Sequence, residues 1–313
     1  MNLPAGPRQQ FAADLHAALS QRWRSISPKY FYDDIGSRLF EQICELPEYY
    51  PTRTELTLLS SHAAEMAACI GPRAQLVEYG AGALRKVRGL LDHLEAPHAF
   101  VPVDISGDHL LAACAELQTA YPALAITPVI ADFTQPHDLP RKPSGVTRVG
   151  FFPGSSIGNF TPPEALAFLN MAAHELRGGG LLIGIDLIKD PAVLHAAYND
   201  AAGVTAAFNL NLLERARREL GAEFDAAGFV HSAFYNAPQQ RIEMHLLSLR
   251  QQVLSLGSER YEFAAGETLH TENSHKYSVT GFQQQAALAG FSAGPVWTDA
   301  RGWFALLWLR APA

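Results

Sequence analysis

Hydrophobic positions along the chain change period several times, and each change predicts a different kind of element. Phe11, Leu15, Ala18 and Leu19 recur at helical spacing, so an amphipathic helix is expected over residues 11–24. A second helical pattern runs through Leu39, Phe40, Ile43 and Leu46, after which Pro47 and Pro51 predict a loop. A third begins near residue 55 and carries Leu58, Leu59 and Met66. The linking stretch, SPKYFYDDIGSRLFEQICELPEYYPTRTE, is dense in aromatic residues, Gly and Pro.

The middle of the chain alternates two periods. Apolar runs read as strands in AQLVEYGAG, AFVPVDIS, LAITPVIADF, VTRVGFFPGSS and LLIGIDLI. Helical patterns separate them in LRKVRGLLDHL, HLLAACAELQTAY and PPEALAFLNMAAHEL, the last closed by Gly178, Gly179 and Gly180. This β-α-β-α rhythm predicts an α/β fold with a parallel sheet wound on both faces. Ligands bind such sheets at the carboxyl ends of the strands. The rhythm breaks over residues 190–276, where VLHAAYNDAAGVTAAF and LNLLERARRELG read as helices and RIEMHLLSLRQQVLSL as alternating strands. We expect a second domain inserted there. FSAGPVWTDARGWFALLWLR predicts a terminal hairpin turning at Ala300-Arg301-Gly302, giving the sheet an antiparallel edge. The expected division is 54–189 with 277–313 as one domain, and 1–53 with 190–276 as the other.

Composition narrows the function classes. The 313 residues are 48% hydrophobic, enough for a large core. A net charge of −7 disfavours nucleic acid, which needs a basic stripe over its phosphates. No basic cluster suggests a membrane surface, and MNLPAGPRQQFAADLH lacks the pattern of a signal peptide. Cys44, Cys69 and Cys114 are odd in number and widely spaced, so they are read as reduced core thiols of a cytoplasmic protein. The twelve histidines form no HExxH or Cys/His cluster, and no metal is expected. A monomer acting on a small molecule is the expected state.

The strongest local chemistry is Glu78-Tyr79-Gly80-Ala81-Gly82, between a buried strand and a helix, where glycines let the backbone approach a ligand closely. Asp104 closes the next strand, where a carboxylate can accept from ribose hydroxyls. Asp132 and Phe133 after the third strand suit an adenine: a carboxylate for the exocyclic amine and a ring for the base. A dinucleotide fingerprint would place its third glycine where Arg85 stands. A nucleoside without a pyrophosphate, S-adenosylmethionine, therefore leads over NAD.

The segments SPKYFYDDIGSRLFEQICELPEYYPTRTE, EYGAGALRKVR, VPVDIS, ADF, GSSIGNF, DLIKD, AYND, RIEMHL and TENSHKYS together resemble the histidine Nα-methyltransferases of ergothioneine biosynthesis. The likeness runs from Ser27 to Ser278. It departs at GAGALRK, which keeps two glycines and the lysine but lacks the hydroxyl residues usual between them. The resemblance implies a Rossmann-type class I methyltransferase domain, plus a substrate domain built from the N-terminal segment and the insertion. At matching positions it implies cofactor contacts at Tyr49, Gly80, Lys86, Asp104, Asp132 and Phe133. It further implies that Asn159 and Tyr198 hold the substrate carboxylate, and that Tyr32 and Phe40 shape the pocket. Glu272 and Ser274 would meet the imidazole, with Met244 against the ring.

The residue types suit these roles. The Asn159 amide and the Tyr198 hydroxyl can donate to a carboxylate without adding charge, and Glu272 can accept from an imidazole N–H. Tyr32, Phe40 and Tyr49 could surround an amine that becomes a quaternary ammonium. Tyr32 and Tyr49 could also orient the amine, and are taken as the catalytic pair. The implied reaction converts L-histidine to its trimethylated betaine, hercynine, the first step of ergothioneine biosynthesis. The rival within the class is a methyltransferase for the α-amine of another amino acid such as tryptophan. Outside it stand an NAD-dependent oxidoreductase and a non-catalytic ligand sensor.

Overall fold

In a computed structural model, described over residues 6–313, the chain forms two compact units. The first comprises Met1–Tyr49 with Pro191–Ser274, and the second Tyr50–Asp190 with His275–Ala313. In chain order, α1 (Pro7–Ser20) and α2 (Asp34–Glu45) open the first unit. Phe11, Leu15, Ala18 and Leu19 are the buried face of α1, as their spacing requires. The Asp33 carboxylate accepts the Gly36 N–H and caps α2.

The second unit begins with α3 (Tyr50–Ile70). Pro51 lies inside the first turn of this helix rather than in a loop: the N–H that proline lacks has no intrahelical partner at that position anyway. Then follow β1 (Gln75–Tyr79), α4 (Arg85–Leu91), β2 (Ala99–Asp104), α5 (Gly107–Ala120), β3 (Val129–Ile130), β4 (Arg148–Phe152), α6 (Pro162–Glu175) and β5 (Gly180–Asp186). The third strand is much shorter than LAITPVIADF suggested. Pro128 cannot donate to a ladder, and the segment lies at the sheet edge, where short strands are tolerated.

The chain returns to the first unit through α7 (Pro191–Tyr198), α8 (Val204–Leu220), β6 (Phe229–Asn236), β7 (Arg241–Ser248), β8 (Gln252–Leu256), β9 (Glu259–Phe263) and β10 (Thr268–His275). Asp200 breaks the expected first helix in two: its carboxylate accepts from the N–H groups of Val204 and Thr205 and starts α8. The second unit finishes with α9 (Val279–Leu288), β11 (Ser292–Thr298) and β12 (Phe304–Arg310).

The second unit's seven-stranded sheet has the order β11-β12-β5-β4-β1-β2-β3. It is parallel from β5 to β3, and β12 joins β5 antiparallel, with β11 as its hairpin partner. Successive side chains divide between two cores. Leu76, Phe100, Phe151 and Leu182 pack with residues of α3, α4 and α5. Val77, Val101, Phe152 and Ile183 pack with residues of α6 and α9. A sheet covered on both faces needs apolar residues at every position, which is why these strands read as continuous runs. The first unit holds the sheet β10-β7-β6 and the pair β8-β9 beside its helices. Among the described residues no helix is long and apolar enough to cross a membrane. Cys114 is buried, Cys44 and Cys69 are half-buried, and all three are free thiols.

Candidate active site

In the second unit, the expected cofactor residues gather at the carboxyl ends of β1, β2 and β3. Gly80 follows β1 with φ +67°, and a Cβ there would come within 3.3 Å of the Phe133 ring, so only glycine suits this turn. The Asp104 carboxylate accepts from the Gly82 N–H at 2.9 Å and the Ser106 N–H at 2.8 Å, which binds the glycine turn to the end of β2. Asp132 accepts through Oδ1 from the backbone and hydroxyl of Thr134. A carboxylate offers about four acceptor positions, so Asp104 and Asp132 can hold their turns and still accept from a ligand. Burial pushes the Glu78 carboxyl well above its ordinary range; Lys86 opposes this, while Glu55 and Asp104 add to it. These features fit a nucleoside approached by backbone and carboxylates.

Lys86 is engaged inside the protein. Its Nζ lies 2.8 Å from Oε2 of the fully buried Glu55, whose two oxygens also accept the Gly154 N–H at 2.9 Å. Asn159 ends a 3-10 turn, Ser156–Asn159, that follows β4. The turn is held tightly: Ser155 has φ +55°, and a Cβ on Gly158 would meet the His275 carbonyl at 2.9 Å.

The first unit brings most of the expected substrate residues into one row. Tyr32 meets Phe40 edge-on with ring centroids 5.7 Å apart, Phe40 meets Tyr49 at 6.3 Å, and Tyr49 meets Tyr198 at 6.4 Å. The Tyr198 hydroxyl then donates to Ser274 Oγ at 2.6 Å. Burial holds the Tyr49 hydroxyl well above its ordinary pKa, and Tyr198, Cys44, Glu272 and Tyr32 push it the same way. Tyr49 is therefore a neutral hydrogen-bonding group at neutral pH rather than a phenolate base. Met244 is buried in β7, and its carbonyl is 3.0 Å from the Thr271 hydroxyl, one residue before Glu272. Phe208 was not anticipated, yet its ring lies within 6.0 Å of those of Phe31, Tyr32 and Phe40. A lone Phe in a helical pattern gives no signal of such a role.

Also unanticipated is a buried ionic group at the end of β5. Asp186 accepts from the Tyr50 hydroxyl at 2.9 and 2.7 Å, from Lys189 Nζ at 2.5 Å and from Lys276 Nζ at 2.9 Å. Tyr50, Lys189 and Lys276 each lie at or next to a point where the chain passes from one unit to the other.

Glu243, His245 and His270 offer donor atoms within 4.8 Å of one another, the one such group among the described residues. Their arrangement fits a stack better than a ligand set. The two imidazoles lie nearly parallel at 4.6 Å, so their lone pairs do not converge, and Glu243 is bound by Arg241 and Asn236. The group carries a pH dependence. Burial, then His245, lowers His270 to about 4. For Glu243 burial acts upward, but hydrogen bonds from Arg241, Asn236 and His245 prevail and lower it to about 2. Both folded-state values lie below the ordinary ones. The His270 contribution to stability is thus complete above about pH 6.5 and lost toward about pH 4, and that of Glu243 goes between about 4.5 and 2. The melting temperature should fall on acidification from about pH 7 to about pH 4, with about 2 kcal/mol lost after solvent screening. His270→Asn should flatten that decline in thermal melts, and an equal decline in both proteins would refute the assignment to His270.

Comparison with known proteins then decides the family. The model of the family described as "Histidine-specific methyltransferase, SAM-dependent" matches residues 11–311. This chain belongs to that family. Within it, the chain is 42% identical to the histidine N-alpha-methyltransferase of Mycolicibacterium smegmatis, over 94% of its own length and 92% of the relative's. It is 41% identical, with the same coverage, to the histidine N-alpha-methyltransferase of Mycobacterium tuberculosis. Ergothioneine biosynthesis protein 1 of Neurospora crassa is 30% identical over 88% of this chain, which spans 32% of that longer protein. Membership of the histidine-specific methyltransferases makes the cofactor S-adenosylmethionine and the enzyme class amino-acid N-methyltransferase. The oxidoreductase reading falls with it.

Proposed function

We propose that this chain transfers three methyl groups in succession to the α-amine of L-histidine, giving the betaine hercynine at the start of ergothioneine formation. The supporting observation is similarity at 42% identity over nearly the whole chain to a histidine N-alpha-methyltransferase, with Tyr32, Phe40, Tyr49, Tyr198 and Ser274 standing in one connected row. The tryptophan alternative is not favoured: an indole has no basic nitrogen for the Glu272 carboxylate to hold.

In this reading the cofactor contacts are Tyr49, Gly80, Lys86, Asp104, Asp132 and Phe133, and Lys86 also holds Glu55 and with it the Gly154 backbone. S-adenosylmethionine, when bound, supplies the activated methyl group. Asn159 and Tyr198 hold the histidine carboxylate, Glu272 and Ser274 the imidazole, and Met244 lies against the ring. Fixing both ends of the amino acid orients its amine, which is where most of the rate arises in a displacement that needs little covalent help. The amine must be neutral to react, yet a free α-amine is largely protonated at neutral pH. Tyr49 keeps its own proton and so can accept from the amine N–H and fix its lone pair, with the proton leaving to water. Tyr32 and Phe40 exclude solvent and favour the growing positive charge. Three thiols outside any disulfide fit a reducing cytoplasm, and the chain acts there as a monomer in this reading.

Mass spectrometry of the purified protein with S-adenosylmethionine and a pool of the twenty amino acids tests the proposal. Histidine alone should gain methyl groups, ending at three. Methylation of another amino acid with histidine untouched would overturn it.

A further inference from the structure

Within the first unit a closed circuit of hydrogen bonds surrounds the segment that carries Glu272. Its hub is Asn209, on α8 and fully buried. Asn209 Oδ1 accepts from the Thr271 hydroxyl at 2.7 Å, and its Nδ2 donates to His231 Nδ1 at 2.9 Å and to the His245 carbonyl at 3.0 Å. His231 Nε2 lies 2.9 Å from the Tyr198 carbonyl. The Tyr198 hydroxyl closes the circuit on Ser274. Thr271 and Ser274 both lie on β10, with Glu272 and Asn273 between them.

The donor directions admit one consistent assignment. A carbonyl only accepts, so His231 carries its proton on Nε2 and presents a bare Nδ1 to the Asn209 amide. Burial lowers the His231 pKa and keeps the ring neutral. Reversing the Asn209 amide would set its oxygen against the His245 carbonyl, so its orientation is fixed too. A half-satisfied buried network is unfavourable, and each member therefore constrains the next.

We infer that Asn209, acting through Thr271 and His231, is a positioning residue that sets the spacing between the imidazole-holding end of the substrate site, Glu272 and Ser274, and its carboxylate-holding end at Tyr198. The inference rests on the substrate roles proposed above. None of the three residues touches the substrate; they hold the backbone of those that do. A fixed spacing would suit side chains of one length, so the circuit should act on selection of histidine rather than on cofactor binding.

The test compares Thr271→Val, Thr271→Ser and Asn209→Asp with the unaltered enzyme. Thr271→Val removes one hydroxyl at constant shape and should raise the histidine KM about tenfold. The kcat should change less, and affinity for S-adenosylhomocysteine should stay within about twofold, since none of the residues proposed to contact the cofactor belongs to the circuit. Thr271→Ser keeps the hydroxyl and should recover most of the lost affinity. Asn209→Asp opposes a carboxylate to the His245 carbonyl and should raise KM at least as much, which provides a second reading if the valine variant does not fold. An unchanged histidine KM in folded Thr271→Val and Asn209→Asp proteins overturns the inference while leaving histidine methylation standing. Absence of histidine methylation in the unaltered enzyme removes both.

Discussion

Replacing Asp186 by Asn should destabilise the second unit by about 3–5 kcal/mol, the usual result of leaving a buried charge without its partner. Here two ammonium groups would lose one carboxylate. The Lys276 side chain is fully buried and that of Lys189 nearly so, and both bind Asp186. Burial alone would raise the Asp186 pKa, but Lys276 and Lys189 together carry it below the ordinary value. Burial acts downward on Lys189, which titrates at about 8 even with Asp186 pulling the other way. Since that lies below its ordinary 10.5, the unfolded chain binds more protons between the two values, and stability should rise with pH across that window. Removing the carboxylate should start the rise at lower pH. Urea midpoints at several pH values measure both effects. A total stability of about 5–15 kcal/mol makes the expected loss a large fraction of the whole. Adding Lys276→Met to the Asp186→Asn protein should restore part of it, because one of the two buried ammonium charges goes. An unchanged midpoint in the single variant would show that the carboxylate does not balance these lysines.

That ionic group also marks the limit of what the chain reveals in one dimension. Asp186 and Lys189 are three residues apart, but Tyr50 and Lys276 lie far from them in sequence, and no spacing rule brings the four together. The sheet of the second unit was legible because burial on both faces demands unbroken apolar runs, as in β4, β5 and β12. The helical run of α6 was legible too, while the Glu164 carboxylate that starts it, accepting from the Thr161 N–H and hydroxyl, was not singled out. At the edge the signal failed: β3 pairs over two residues only, and Pro128 shortens it. The α7–α8 break was written in Asp200 and Gly203, a capping carboxylate and a left-handed glycine, but continuous helical spacing around them masked it. β10 gave no strand signal because two of its buried residues meet polar partners. Thr271 faces Asn209, and Ser274 faces Tyr198. A strand whose buried residues are polar lacks the hydrophobic alternation that marks ordinary ones. The candidate cofactor turn, by contrast, announced itself through Gly80 and Gly82, where a side chain is excluded by conformation or contact.

Glu272→Ala should raise the histidine KM at least tenfold and lower kcat less. A hydrogen bond to a charged group contributes about 1.5–3 kcal/mol, which is about a tenfold to hundredfold change in binding. The loss should fall on KM because the imidazole lies away from the reacting amine and is held alike before and during methyl transfer. Glu272→Gln keeps an acceptor for the ring N–H but removes the charge, so its KM should fall between the alanine variant and the unaltered enzyme. Glu272 also raises the Tyr49 pKa, as a minor contributor after burial, Tyr198 and Cys44, so its loss leaves Tyr49 protonated at neutral pH and the amine still oriented. Affinity for S-adenosylhomocysteine should be unaltered in both variants. Steady-state kinetics with histidine, alongside calorimetric titration of S-adenosylhomocysteine, separates these effects. A histidine KM unchanged in a folded Glu272→Ala protein would remove the carboxylate from imidazole recognition, and with it the reason for preferring histidine over an amino acid with a neutral aromatic side chain.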